Sequence, residues 1–254
     1  MTPMQRAAYL AHWRTDAMRR RVSEARAVLE RASAFGRVSV SMSWGKDSVA
    51  AGHLALQYLP SPVTMMHIAS SYRLPGFERV QAYFAARADL HIIEPRRTLQ
   101  ETIEWLREVG LPHERTSAQQ RAVVKAIKKD VGTAWCIDHG FGVQVMGIRA
   151  DESKTRRAFL RAKGAIYDAH GIKFACPLAW WTAKDVWAYI VAHDLPYHPL
   201  YDCETHGQTR ETLRNTGWLS TDGAEHGRIV WLREHYPEQY AMLARHFAQV
   251  RAYT

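Results

Sequence analysis

The chain has 254 residues, 47% of them hydrophobic, enough for one large domain or one domain with appendages. No run of 18 apolar residues occurs, which argues against a membrane-spanning helix, and three scattered cysteines (Cys136, Cys176 and Cys203) argue against a disulfide framework or a cysteine-rich metal site. A net charge of +9 and a pI of about 9.6 favour anionic partners: nucleotides, nucleic acid or sulfated metabolites.

In chain order, residues 4–34 carry apolar side chains at three-to-four spacing and read as one long helix or two short ones, ended near Gly36. Met1 to Arg6 lead into this charged stretch without the apolar core of a secretory signal, so a cytoplasmic location is expected. Val38, Val40 and Met42 alternate with Ser39, Ser41 and Ser43, predicting a strand near 38–42 and then a helix over 47–58. After the break at Pro60-Ser61-Pro62, residues 63–68 read as a strand, 77–88 as a helix and 90–93 as a strand. Residues 98–109 form an amphipathic helix pattern and 117–130 a basic one. A strand is expected over 142–148 and a short one at 172–175, then helices over 182–193 and 226–247, the last interrupted near Pro237. Strands alternating with helices imply a largely parallel sheet, with ligands beyond the strand carboxyl ends.

Three segments carry chemistry. Ser41-Met42-Ser43-Trp44-Gly45-Lys46-Asp47-Ser48 joins a strand to a helix N-terminus. Backbone N–H groups and the helix dipole there favour an anion, and Lys46, Ser43 and Ser48 add a charge and hydroxyls. Asp47 is a candidate loop-fixing residue or Mg²⁺ ligand. The spacing is not that of the Walker A loop. Residues 147–157, Gly-Ile-Arg-Ala-Asp-Glu-Ser-Lys-Thr-Arg-Arg, crowd cations at a strand end, where arginine forks suit phosphate oxygens. Alone, this stretch reads equally well as a solvated, salt-bridged helix start. Residues 177–202 are rich in aromatics around a helix capped by Thr182, with Asp185 complementing its dipole and Val186, Trp187 and Ile190 forming a buried stripe.

The first segment resembles the Ser-x-Gly-Lys-Asp-Ser signature of the PP-loop ATP pyrophosphatases. The second and third are similar to the Gly-x-Arg-x-x-Glu-Ser-x-x-Arg and Pro-Leu-x-x-Trp-Thr-x-x-Asp-Val-Trp-x-Tyr-Ile blocks of the phosphoadenosine phosphosulfate (PAPS) reductase-type domains. The resemblance implies an α/β, Rossmann-like, mostly parallel twisted sheet with helices on both faces and helical extensions at both ends. It implies an N-terminal extension over 1–35, a PP-loop domain over 36–202, and a tail over 203–254 packed on the same domain. It assigns catalysis to Lys46, Asp47, Arg149 and Arg156, with Glu152 orienting the arginines. It assigns nucleotide contacts to Ser41, Ser43, Trp44, Gly45, Lys46, Ser48, His67, Ser70, Gly147, Arg149, Glu152 and Arg157.

Departures from the family shift the expected activity. The reductases carry a Glu-Cys-Gly-(Ile/Leu)-His motif near the C-terminus, and residues 204–254 contain no cysteine. Paired cysteines for an iron–sulfur cluster are missing, so no cluster is expected. Trp44 replaces the first of two loop glycines, and Ala69-Ser70-Ser71 stands where relatives have Asp-Thr-Gly. The leading expectation is therefore cleavage of ATP between its α and β phosphates with Mg²⁺, adenylylating an unnamed acceptor. The alternatives are thiol-dependent reduction of PAPS or a related sulfonucleotide, and a non-catalytic nucleotide- or nucleic-acid-binding module. Nucleic acid and a homo-oligomer are candidate partners; a membrane is not.

Overall fold

A computed structural model describes residues 1–70, 74–94, 97–108, 116, 118–119, 130–205, 207–214 and 228–253. By contacts the chain divides into two units: Met1–Ile68 with Phe77–Ile93 and Asp130–His198, and Ala69–Gly76 with Glu94–Lys129 and Pro199–Thr254. The helices of residues 1–35 thus belong to the first unit. The expected basic helix over 117–130 lies almost wholly outside the described residues.

The first unit is built on a six-stranded sheet among the described residues. Its strands are β1 (Val38–Ser41), β2 (Thr64–Ile68), β3 (Asp89–Ile93), β4 (Val143–Val145), β5 (Ile166–Ala169) and β6 (Ile172–Ala175), in the order β3-β2-β1-β4-β6-β5. All neighbours pair in parallel except β5 and β6, an antiparallel hairpin. The chain steps from β1 to β2 to β3 on one side and continues with β4 on the other side of β1. That reversal is a topological switch point, where loops leaving adjacent strands diverge and open a crevice. Val38 pairs with Val143 and Val40 with Val145, so the loops after β1 and β4 start side by side.

The serines of β1 do not make a wet face. Ser39 is fully buried, its hydroxyl 3.1 Å from the Cys136 sulfur, because helices cover both faces of a parallel sheet. The predicted long N-terminal helix is two helices, α1 (Pro3–Trp13) and α2 (Asp16–Ser33), each started by a threonine side chain (Thr2 and Thr15) accepting a backbone N–H three residues on. They are followed by α3 (Lys46–Tyr58), α4 (Glu78–Ala85), α5 (Leu99–Glu108), α6 (Asp130–Asp138), α7 (Lys154–Lys163), α8 (Ala183–Ala192), α9 (Arg228–His235) and α10 (Pro237–His246). The sequence reading missed α6, α7 and β5. The α7 stretch is dominated by cations rather than by an apolar period, with Leu160 its one buried residue. The β5–β6 turn is His170-Gly171, both at positive φ (54° and 83°), a two-residue hairpin turn without the usual Asn-Gly signature.

In α8, Thr182 and Asp185 form a reciprocal capping box. Asp185 also takes a 2.6 Å hydrogen bond from His12, tying α1 to α8. Burial pushes the Asp185 carboxyl up, but the bonds from His12 and Thr182 outweigh it and hold it below the usual range. In the second unit Arg107 donates twice to the His246 carbonyl at the end of α10, at 3.2 and 3.0 Å. There Arg210, 2% exposed, donates to Asp202 at 2.7 Å.

Candidate nucleotide-binding site

The site lies at the switch point of the first unit. Gly45 caps α3 without a side-chain bond, which leaves the first-turn N–H groups uncovered by any cap side chain. Ser48 braces the loop from below: its hydroxyl accepts from the Ser43 N–H at 3.1 Å and donates to the Gly45 carbonyl at 3.0 Å. Ser41 ends β1 beneath it, paired with Met66.

Asp47 joins the two loops. One of its carboxylate oxygens accepts from Arg149 Nε at 2.6 Å and the other from Lys46 Nζ at 3.2 Å. Lys46 and Arg149 are each 3% exposed. With Asp151 also on Arg149 and Glu152 beside it on Arg156, three cations face three carboxylates across the two loops. Burial raises the Asp47 carboxyl, but Lys46 and Arg149 more than reverse this and keep it ionised below the usual range. Burial pushes the Lys46 ammonium down, with Asp47 restoring part of the loss. Burial likewise opposes the Arg149 charge, and Asp47 and Glu152 overcome that.

Arg149 is held from every side. Its Nη1 donates to Asp151 at 3.1 Å and to the Trp181 carbonyl at 3.4 Å, and its backbone N–H donates to Glu152 at 3.0 Å. Glu152 also pairs with Arg156. Asp151, which the sequence reading passed over, accepts from the Ala183 N–H at 3.1 Å and so fastens Arg149 to the start of α8. Its only sequence signal was a carboxylate between arginines. Gly147 has a steric reason: a Cβ there would meet the Asp47 carbonyl carbon at 2.8 Å and the Ser48 nitrogen at 3.0 Å. The β4 loop and the PP-loop touch backbone to backbone.

Trp44 sits at φ 60°, the left-handed region that favours glycine, which gives a physical reason for a glycine there in relatives. Its indole is 3% exposed and lies against His67, ring centroids 4.7 Å apart. In this conformation it packs under the loop rather than offering a face to a nucleotide. His67 is itself buried and donates Nδ1–H to the Met42 carbonyl at 2.8 Å. Arg157 is exposed on α7. Ser70 belongs to the second unit and is exposed. The structure therefore brings together Ser43, Gly45, Lys46, Asp47, Ser48, Gly147, Arg149, Glu152 and Arg156.

The expected Mg²⁺ ligand, Asp47, has both oxygens committed to cations. Among the described residues no group of three or more His, Cys, Asp or Glu side chains gathers around a point. The residues at Asp47 do not fit a resident magnesium ion; Lys46 and Arg149 supply the positive charge there. No helix among the described residues is long and apolar enough to cross a membrane.

A doubly wound sheet with the buried Lys46–Asp47–Arg149 cluster at its switch point defines a Rossmann-like PP-loop fold. The phosphoadenosine phosphosulfate reductase domain matches residues 37–213, more than half of the chain, and the protein belongs to that family. Among curated relatives, an adenosine 5'-phosphosulfate reductase of Bacillus cereus is 28% identical over 66% of this chain and 68% of its own length. A phosphoadenosine 5'-phosphosulfate reductase of Xanthomonas axonopodis pv. citri is 27% identical over 65% of this chain and 66% of its own. The chain thus spans about two thirds of the length of these relatives. A crystal structure of the PAPS reductase from Candida auris in a phosphate complex shares the fold, with a TM-score of 0.52 and 20% identity over 70% of this chain and 83% of that one.

Proposed function

We propose that the protein binds an adenine nucleotide bearing an activated 5' anion, with that anion at the PP-loop, and acts as a sulfonucleotide reductase. The observation that carries this reading is the buried Lys46–Asp47–Arg149 unit at the switch point, in a chain of the PAPS reductase family. Lys46 and Arg149, nearly desolvated and fixed by Asp47, need no rearrangement when negative charge develops on a leaving phosphate. In the reaction a thiolate attacks the sulfonate sulfur. The sulfur–oxygen bond breaks, its electron pair goes to the nucleotide phosphate, and an S-sulfonated thiol remains. A second thiol then displaces sulfite and the two sulfurs become a disulfide, so two thiols supply the two electrons. Lys46 and Arg149 neutralise the departing phosphate. Glu152 and Asp151 hold Arg149, and Arg156 contacts the anion from α7.

One observation favours a second reading, ATP cleavage between the α and β phosphates to adenylylate an acceptor. No cysteine of the chain carries an activated thiol. Cys136 and Cys176 are buried, and burial pushes their thiols up, Cys176 to about 12. Burial and Asp202 also push Cys203 up, the opposite of a tuned nucleophile. In that reaction an acceptor oxygen attacks the α-phosphorus and pyrophosphate leaves with the bond electrons, again onto Lys46 and Arg149.

Parallel assays separate the two. Sulfite and a nucleoside monophosphate or bisphosphate released from APS or PAPS with dithiothreitol or thioredoxin support reduction. Pyrophosphate and AMP from α-labelled ATP, with Mg²⁺ as its counterion, support adenylylation. Cys203→Ser tells an internal thiol from an external one. If neither substrate turns over, or Lys46→Ala matches the parent in both assays, the catalytic readings are wrong and a binding module remains.

A further inference from the structure

The two arginine-rich helices of the first unit treat their charges differently. On α2 three of the five arginines pair with acids of the same helix: Arg19 with Asp16, Arg21 with Glu24 and Arg26 with Glu30. On α7 (sequence Lys-Thr-Arg-Arg-Ala-Phe-Leu-Arg-Ala-Lys) no acid is present. Arg156 turns back to Glu152, but Lys154, Arg157 and Arg161 have no acidic partner among the described residues, and all three are exposed. Their spacing of three and four residues puts them on one row of the helix.

This row runs against local helix preferences twice. Like charges at i, i+3 and i, i+4 repel, and Lys154 and Arg157 sit in the first turn, at the positive end of the helix dipole. A surface that keeps both conflicts with no acidic partner among the described residues reads as a binding surface. The row's exposed neighbours are Thr155, Ala158 and Ala162, with no large apolar side chain to enter a bilayer. The helix's exposed aromatic, Phe159, packs edge-on against Tyr167 at 4.9 Å. The long basic side chains, rising about 4.5 and 6 Å along the axis from one to the next, suit a chain of regularly spaced phosphates. The row also begins one residue after Ser153, where the Arg149–Glu152 turn ends.

We propose that the Lys154–Arg157–Arg161 face of α7 binds the phosphate backbone of a nucleic acid strand. The inference rests on charge placement alone and stands whether or not either catalytic reading holds. Three phosphate contacts on a single strand give a slope of about −2 for log affinity against log salt, roughly a 20-fold loss between about 50 and 200 mM.

The test is fluorescence anisotropy of a labelled, mixed-sequence single-stranded oligonucleotide with the full chain across that salt range. The parent shows this slope. The Lys154→Gln/Arg157→Gln/Arg161→Gln variant loses most of the slope and at least ten-fold in affinity at the low-salt end, while Arg14→Gln/Arg20→Gln/Arg31→Gln, which removes equal charge from α2 and the turn before it, keeps both. Circular dichroism checks that each variant is folded; if the α7 variant is not, the parent's slope and the single change Arg161→Gln decide. Equal binding of a duplex supports the same phosphate contacts. A salt-insensitive parent, equal losses in both triple variants, or binding to phosphatidylserine vesicles without binding to oligonucleotide overturns the proposal.

Discussion

Asp47 Oδ1 accepts from Arg149 Nε at 2.6 Å across 102 positions of sequence. This contact turns two separate loop motifs into one site, because the same carboxylate also holds Lys46. Removing it takes the shared carboxylate away from two cations that are each 3% exposed. Asp47→Asn should therefore cost about 3 kcal/mol of stability, in the range found when one partner of a buried pair is deleted. Urea denaturation measures it, and a loss near zero would mean the cations find water instead. The sign with pH follows from the depressed Asp47 carboxyl. Its contribution is full above the unfolded value of about 3.9 and is lost as pH falls through the lower folded value, so the parent and Asp47→Asn should converge in acid.

Gly147 lets the β4 loop lie on the PP-loop backbone, with Asp47 and Ser48 atoms within 3.0 Å of where a Cβ would stand. Backbone cannot swing aside as a flexible side chain can. Gly147→Ala should cost about 1–3 kcal/mol and weaken nucleotide binding at least ten-fold, read by calorimetric titration with APS, PAPS or ATP. Unchanged binding would show that the loop tolerates displacement.

Trp44 sets two effects against each other. Its left-handed backbone costs about 1–2 kcal/mol, which glycine would relieve. Losing a buried tryptophan costs about 3–5 kcal/mol. Packing wins, so Trp44→Gly should be less stable by about 2 kcal/mol, and Trp44→Phe, which keeps a ring against His67, should lose less. A Trp44→Gly protein more stable than the parent would mean that strain dominates.

His53 lies in an aromatic cage, Nδ1 at 2.9 Å from the Tyr189 hydroxyl and its ring 5.0 Å from that of His193. Burial, then His193 and Arg87, push it down to about 4. Unfolded histidine titrates near 6.5, so the unfolded chain takes up the proton first. Stability should fall as pH drops below about 6.5 and level off near 4. The ceiling is about 3.4 kcal/mol at 1.36 per unit, reduced to about 2 because the ring is only partly buried. Between pH 7 and about 4.5, His53→Gln should lose correspondingly less stability than the parent in chemical denaturation, and equal losses would place the proton elsewhere.

Asp185 caps α8 and anchors α1 through His12. Asp185→Ala should cost about 2 kcal/mol, a cap of roughly 1 plus a partly buried pair. Asp185→Asn, which keeps an acceptor for the cap, should cost less. Limited proteolysis should then release the α1 segment faster in the alanine variant.

Much of this was legible along the chain. The Ser43–Ser48 run, its strand-turn-helix setting and the order of β1, α3, β2 and β4 follow from local period and turn chemistry, which short windows carry. The same local information could not show α7, whose cations mask any apolar period, or the β5–β6 hairpin, whose His170-Gly171 turn lacks a familiar signature. It also suggested Asp47 as a metal ligand, because a carboxylate beside a phosphate loop suits either role until its neighbours are known.

By itself the sequence determined that Ser43–Ser48, with its lysine and aspartate, stands at a strand-to-helix junction and that arginines crowd the end of a later strand. Only the tertiary structure decided what those charges do. The parallel pairing of Val40 with Val145 sets the two loops side by side, and Gly147 lets them touch. Asp47 then meets Arg149 with its charge already spent on cations. Coulombic partnership depends on distances of a few ångströms between groups a hundred residues apart, and only the sheet register sets those distances.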